Sequence, residues 1–533
     1  MGPTSSWAFC QRVLATIRVQ SSERTPTVRP WTLESVSLRW SPIGLDEQPD
    51  VGNLPSVEYA ALLHSTVKYH LGSLYDIVDH DSFSQHMDRF YRDPANEARK
   101  SRFWYAQLLF VLAFGEAFIS AGSAKPGAGL RYASRGLSLL PCTIPLDGKT
   151  LAAVEALCLA ALYLQALDSR LTAFQLVGQA LRVCIIEGWH RHMPPSEVTS
   201  AHAKRCTSVF WTAYMIDREF GTLIGAPSSI RDEDITVQLP SEPADNSAKA
   251  EALALQVKMA RLTAMILSGV YGVNSSHSRS LLSDTQSALH GIALVDKELL
   301  VYLDTRFRGT DIRTSKVATN LILSYHHCVV LATRPLVMCI LHKSLANRGT
   351  RMELPEGPIV SLLRSCTRSA LNILRTLKAL GESNMLDHFL SFQLEAAFSS
   401  ALMLYIIDKL IPDFTADGSW LRAVQEIFDI MISKGSPAAP RRNQEFQKLR
   451  HAMDMYMEQG TSELGNTSTL RQQEAEITLE SDARSSRTVP HHSIDGFASW
   501  GPLEHYSDFT LSSADIMDLA NGLQVDDFLI PDC

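Results

Sequence analysis

Asp217, Arg218, Glu219, Asp232, Glu233 and Asp234 crowd into one stretch, CTSVFWTAYMIDREFGTLIGAPSSIRDEDITVQLP, which runs from Cys206 to Pro240. Carboxylates and a guanidinium at that density can exchange protons with a substrate or hold a cation. A catalytic pair needs a cleft and a partner nucleophile, and none is evident in the sequence. An exposed pair would be a minor surface contact. Asp217 and Arg218 instead lie deep in an apolar helical pattern beside Ile216 and Phe220. The expected role is a structural ion pair that fixes helix register at a desolvation cost.

Other residues offer chemistry at the wrong spacing. Gly148-Lys149-Thr150 matches the end of a phosphate-binding loop, but Thr143 stands where that loop needs its first glycine. Without that glycine, and with no strand before it, the backbone cannot wrap its N–H groups around phosphate. Asp147 or Thr150 is expected to cap the helix that follows. His190-Arg191-His192 and His326-His327-Cys328 place their histidines next to or near one another. Ligands on one helical face need spacings of three or four, so core or helix-end histidines are expected. The nine cysteines include no C-x-x-C pair, and their scatter over apolar segments reads as buried thiols. No G-x-S-x-G, H-E-x-x-H or G-x-G-x-x-G occurs. No catalytic residue, resident cofactor or metal is expected, and the chain is read as a non-enzyme.

The elements that hold these residues are helical. In the quoted stretch Val209, Ala213, Ile216, Phe220 and Ile224 recur at three- and four-residue steps. Trp211 is expected to pack inward there, and Gly225 with Pro227 to end the helix. LAAVEALCLAALYLQAL, from Leu151 to Leu167, is apolar on most faces and predicts a central helix. Phe174–Trp189 follows, with Gly188 placed for a helix end. Further patterns cover Ala248–Tyr271, Leu281–Leu303, Thr314–Lys343, Glu356–Leu380, Asn384–Ile411, Trp420–Ser433 and Asn443–Glu458. No sustained alternation of apolar and polar residues marks strands, so the fold class is all-α.

At 533 residues the chain can bury more than one core, and its 45% hydrophobic content is ordinary for a globular protein. A net charge of −8 leaves no basic footprint for nucleic acid. Gln107 and Glu116 interrupt the most apolar stretch, Phe103–Gly122, which is expected to be a buried helix, with no membrane as partner. Residues 1–55, rich in Pro, Ser and Arg, read as a mobile arm, 56–460 as the helical core and 461–487 as a disordered linker. Residues 488–533 carry no Lys or Arg and space acids among apolar side chains. They read as an activation segment in which Phe509, Leu519, Leu523, Phe528 and Leu529 stay available to a transcriptional coactivator.

Several short motifs then fall in one order. They are Gly188-Trp189-His190-Arg191, Lys204-Arg205, Phe210-Trp211, Asp217-Arg218, Gly225-Ala226-Pro227, Asp232-Glu233-Asp234-Ile235 and Leu239-Pro240. SLYDIVDHDSF (Ser73–Phe83), with Asp76 in place of a usual proline, and SYHHCVVLATRPLVM (Ser324–Met338), ending in Arg334-Pro335, extend the pattern. Over about Ser56 to Gly460 the order resembles the helical regulatory (middle homology) domain of fungal-specific transcription factors.

That resemblance implies a nuclear, DNA-binding regulator of transcription, an activator that controls a metabolic or secondary-metabolite gene cluster. It also implies a small-molecule effector as partner. The family's DNA-binding module is a six-cysteine cluster around two zinc ions, whereas Cys10 is the sole cysteine before the helical core. Zinc is therefore expected only with an additional N-terminal cysteine cluster lost from the gene model, and promoter DNA only through such a cluster or a partner protein. The alternative reading is a non-enzymatic helical protein that binds a ligand or partner without touching DNA.

Overall fold

The structure is a computed structural model that describes residues 5–20, 38–120, 122, 127, 129–145, 150–192, 200–240, 248–271, 278–308, 314–346, 357–415, 418–475 and 513–523. Among these residues there are seventeen α-helices and no strand. The first nine are α1 (Ser6–Gln20), α2 (Val57–His70), α3 (His80–Phe90), α4 (Pro94–Lys100), α5 (Arg102–Ile119), α6 (Leu130–Leu139), α7 (Thr150–Ala166), α8 (Arg170–Ile186) and α9 (Ser200–Ile224). The rest are α10 (Ala248–Ser268), α11 (Ser278–Phe307), α12 (Lys316–Ala346), α13 (Pro358–Glu382), α14 (Ser391–Leu410), α15 (Ser419–Ser433), α16 (Ala439–Ala475) and α17 (Ser513–Gly522).

Local chemistry sets the boundaries. The Ser56 hydroxyl accepts from the Tyr59 N–H and starts α2, and Asp93 does the same for α4 through Asn96, with Pro94 in the first turn. Gly225 ends α9 at φ +74°, a left-handed geometry that a side chain would strain, while its N–H and that of Ala226 both bond the Gly221 carbonyl. Gly115 has a different task. A Cβ there would lie 2.6 Å from the Leu63 Cβ and 2.9 Å from its backbone, so its absence lets α5 lie directly on α2.

Two apolar cores result. One is formed mainly by α2, α5, α7, α8 and α9, and the other by α1 and α10–α17. In α7, Leu157, Leu159, Leu162 and Leu164 are buried on all sides, each worth roughly 2 kcal/mol of transfer free energy. Among the described residues two helices, α5 and α12, are long and apolar enough to cross a membrane, and both are mostly buried in the protein.

Three helices lie wholly or partly outside the residues 56–460 expected as the core. Within the stretch read as a mobile arm, α1 buries Phe9, Cys10, Val13, Leu14 and Ile17 against α12, α14 and α16. Residues 38–55 also lie against the body. Arg102 donates to the carbonyls of Ile43 and Gly44, and the Tyr105 hydroxyl to that of Asp50. The Pro, Ser and Arg content of residues 1–55 as a whole hid a helical apolar stripe. At the other end α16 continues past residue 460 to Ala475, into the stretch read as linker.

The tail departs further. Ile516, Leu519 and Ala520 of α17 and Leu523 just after it are buried, with α17 packed on α11 and α13, while Asp515 and Asp518 face solvent. Leu519 and Leu523 are thus covered in this conformation, in contrast to the expectation that they stay available. The spacing explains why. All four apolar residues share one helical face, so docking buries them without bringing the acids together. Gln286 donates to the Leu523 carbonyl, and His290 lies 3.2 Å from the Asn521 side chain. Phe509, Phe528 and Leu529 lie outside the described residues.

Candidate functional site

The Asp217–Arg218 pair is the centre of one buried ion network. Arg218 donates to Asp217 at 2.9 Å, to Asp232 at 3.2 Å and to the Ile230 carbonyl at 2.6 Å, and it sits over the Tyr214 ring. Asp217 also accepts from the Ser229 N–H and hydroxyl, and Tyr214 donates to Asp232 at 2.7 Å. The acidic turn of residues 232–234 is thereby tied back onto α9, and Pro227 lies in the exposed turn between them. Trp211, fully buried, donates to the Gln238 carbonyl at 3.0 Å, and Arg261 covers its ring. The polar side chains named here meet protein partners. The exception is the Arg218 Nε, buried without a partner.

A second buried network joins segments far apart in the chain. Arg170 at the start of α8 pairs with Asp168 at 2.8 Å and with Glu395 of α14. Arg442 of α16 reaches Asp168 and Glu395 at 2.8 Å each and Glu445 at 3.0 Å, while Arg441 bridges Asp168 and Glu445. The Glu445 carboxyl is pushed up to about 7 because burial outweighs its arginines. The second oxygen of Glu395 is buried with no hydrogen-bond partner.

Between the networks lies a cavity of about 100 Å³, to which both contribute: Arg218 from one and Glu395 from the other. Three helical faces converge on it. Met215, Glu219 and Thr222 come from α9, Gln256, Met259 and Thr263 from α10, and Asn320, Ser324 and His327 from α12. Tyr75 and Phe392 also line it, and a smaller space of about 30 Å³ continues along Tyr75, Glu219, Asn320 and Phe392. The Tyr75 hydroxyl donates to Glu219 at 2.9 Å. Burial pushes the Glu219 carboxyl up to about 7, and the Tyr75 bond only partly opposes it. Burial and then Arg334 push His327 down to about 3, so it is a neutral imidazole.

Other residues singled out in the sequence hold the scaffold. Arg334, buried in α12, donates to Ser399 at 2.5 Å and lies near Ser6 and the Phe9 ring, clasping α1. Pro335 sits inside α12, which continues to Ala346. Asp76, at the position of the usual proline, accepts from Ser208 and Lys249 and pairs with Arg205 at 3.5 Å. Thr150 opens α7, whereas Gly148 and Lys149 lie outside the described residues. His326 is buried beside Ser369. Among the described residues no group of three His, Cys, Asp or Glu side chains is placed to hold a metal ion. Sequence reasoning missed the cavity. Its signal was the polar run Asn320, Ser324 and His327, spaced four and three along an otherwise apolar helix.

Residues 63–285 match the family described as fungal specific transcription factor domain. "Activator of stress genes 1" of Saccharomyces cerevisiae is 20% identical over 410 residues, which cover 69% of this chain and 41% of that protein. An "ABC-transporter-regulating transcription factor" of Aspergillus fumigatus is 26% identical over 264 residues, 47% of this chain and 29% of that protein. "Transcription factor FBD3" of Fusarium pseudograminearum is 22% identical over 303 residues, 51% of this chain and 39% of that protein. The chain thus spans less than half the length of these relatives. No solved structure matches.

Proposed function

This chain belongs among the proteins that carry the fungal specific transcription factor domain, and from that premise we propose that it regulates transcription in the nucleus. The helical body is its regulatory part and has no catalytic role. The observation that carries this reading is the docking of α17, whose acidic face is solvated and whose apolar face is covered by α11 and α13. A short acidic helix with Ile516, Leu519 and Leu523 along one side is what a coactivator groove binds. The body therefore holds the activating face in reserve and releases it when an effector or partner shifts the balance.

Contact with promoter DNA is made through a zinc cluster outside this sequence or through a partner protein, and the chain as given binds no zinc of its own. We read the targets as a metabolic or secondary-metabolite gene cluster, and the likeness to a regulator named for ABC transporters supports genes of that kind. A ligand-binding protein outside transcription is less well supported, because the relatives are transcription factors.

A reporter assay tests the reading. Residues 488–533 fused to a heterologous DNA-binding domain are expected to activate strongly, and residues 1–533 in the same fusion weakly. Changing Phe509, Leu519, Leu523, Phe528 and Leu529 to Ala in the short fusion is expected to abolish the signal. Background output from the intact short fusion would defeat the proposal.

A further inference from the structure

We propose that the cavity among α9, α10 and α12 is a binding site for a small primary ammonium ligand, held by the Glu219 carboxylate and the aromatic faces of Tyr75 and Phe392. This rests on the regulatory reading above and gives its effector a place and a chemistry.

The lining is short of one charge. Glu219 makes a hydrogen bond to Tyr75 and meets no cation, so it is a buried acid without a counter-ion. Arg218, which also lines the cavity, is committed to Asp217, Asp232 and the Ile230 carbonyl. An entering ammonium would supply the missing charge beside the aromatic rings of Tyr75 and Phe392 in the cavity wall.

The remaining polar groups suit an N–H donor. The side chains of Gln256, Asn320, Ser324 and His327 line the cavity and make no hydrogen bond to another described residue. Each can accept one, His327 because it is neutral. The second oxygen of Glu395 is a further unpartnered acceptor among the lining residues. A carboxylate ligand in the larger space would face Glu219 and Glu395, with Arg218 already committed.

Size sets the limit on the rest of the molecule. A cavity of roughly 150 Å³ takes benzene, so about 100 Å³ with a narrow extension suits around half a dozen non-hydrogen atoms. Leu74, Met215, Leu223 and Met259 supply the apolar wall for a short hydrocarbon part.

Binding should carry a pH signature. The ligand pairs with ionised Glu219, whose carboxyl is half-protonated near pH 7, while a primary ammonium remains charged. His327 stays neutral throughout, and Arg218 and Glu395 are locked in ion pairs. In the adjoining space Lys316 is bonded to His70, and Asp387 accepts from the N–H groups of Phe389 and Leu390. Affinity is therefore expected to rise about tenfold from pH 6 to pH 8.

The experiment is calorimetric titration of the purified full chain with n-butylammonium, 1-butanol and butyrate at pH 6, 7 and 8. Saturable binding of n-butylammonium alone, tightening with pH, is the expected result. Glu219→Gln is expected to weaken it at least tenfold and to flatten the pH dependence, while its thermal melt stays cooperative. Ser324→Leu, which fills the cavity from another helix, gives the same loss without touching the acid. No saturable binding, equal binding of 1-butanol, or unchanged affinity in both variants would overturn the proposal. Transcription plays no part in this readout, so a silent reporter beside intact binding would count against the regulatory reading alone.

Discussion

The two buried ion networks are alike in composition and opposite in reach. In the first, Arg218 meets Asp217 next door and Asp232 fourteen positions on. In the second, Arg442 meets Asp168 across 274 positions and joins the start of α8 to α14 and α16. The first ties a helix to the turn that follows it. The second holds together two parts of the molecule that have separate apolar cores. Burial of charge is costly in both, so each network matters most through the penalty of breaking it.

Arg442→Ala should have the largest effect, because Asp168, Glu395 and Glu445 would lose a shared partner inside the protein. A loss of about 5 kcal/mol is expected in a denaturant titration. Replacing Arg170, Glu395, Asp168 and Arg442 together by apolar residues of similar size should recover most of it. Failure to recover would show that the network does more than neutralise itself.

Asp217→Ala strands Arg218 but leaves it Asp232 and the Ile230 carbonyl, so about 4 kcal/mol is expected. A greater loss here than for Arg442→Ala would invert the comparison.

Acidity sharpens it next. Burial raises both Glu219 and Glu445 from an ordinary 4.5 to about 7. The folded state then holds protons that the unfolded chain releases, so this contribution is full below pH 4.5 and is lost as pH rises through 7. Each group accounts for roughly 3 kcal/mol over that window. Glu219→Gln and Glu445→Gln should each flatten the stability–pH profile by its own share, and a profile flat in the parent would remove the premise for both.

The smallest effect belongs outside both networks. Leu519→Ala should weaken the hold on α17 by about 2 kcal/mol and leave the melt of the body unchanged. Faster proteolytic cutting near residue 513 is the measurement, and an unchanged rate would mean that the apolar face does not anchor the helix.

Legibility in the sequence follows the same division between near and far. Helices were readable because their periodicity is local, as in Val209, Ala213, Ile216 and Phe220. Asp217 and Arg218 were readable because the partners are adjacent and the flanks are apolar. For Asp168, Arg170 and Glu395 nothing local marks a partner hundreds of residues away. The cavity was hidden for a related reason. Its wall combines one face each of α9, α10 and α12, and only their packing turns three polar runs into one lining. The apolar stripes of α1 and α17 are short, and composition averaged over 55 or 46 residues does not reveal them.

The long reach of the second network also has a consequence for how the protein is made. Translation at 5–20 residues per second separates Asp168 from Arg442 by roughly 15–55 s. Within that interval α8 and α9 are made and the first core gains its helices, while its charged seam waits for Arg442 and α1 has no α16 to lie against. Ribosome-bound chains cut off before residue 442 should therefore recruit chaperones even though every helix of the first core is already present. Although α1 precedes the first core in the chain, it finds its place only after α16 has been made.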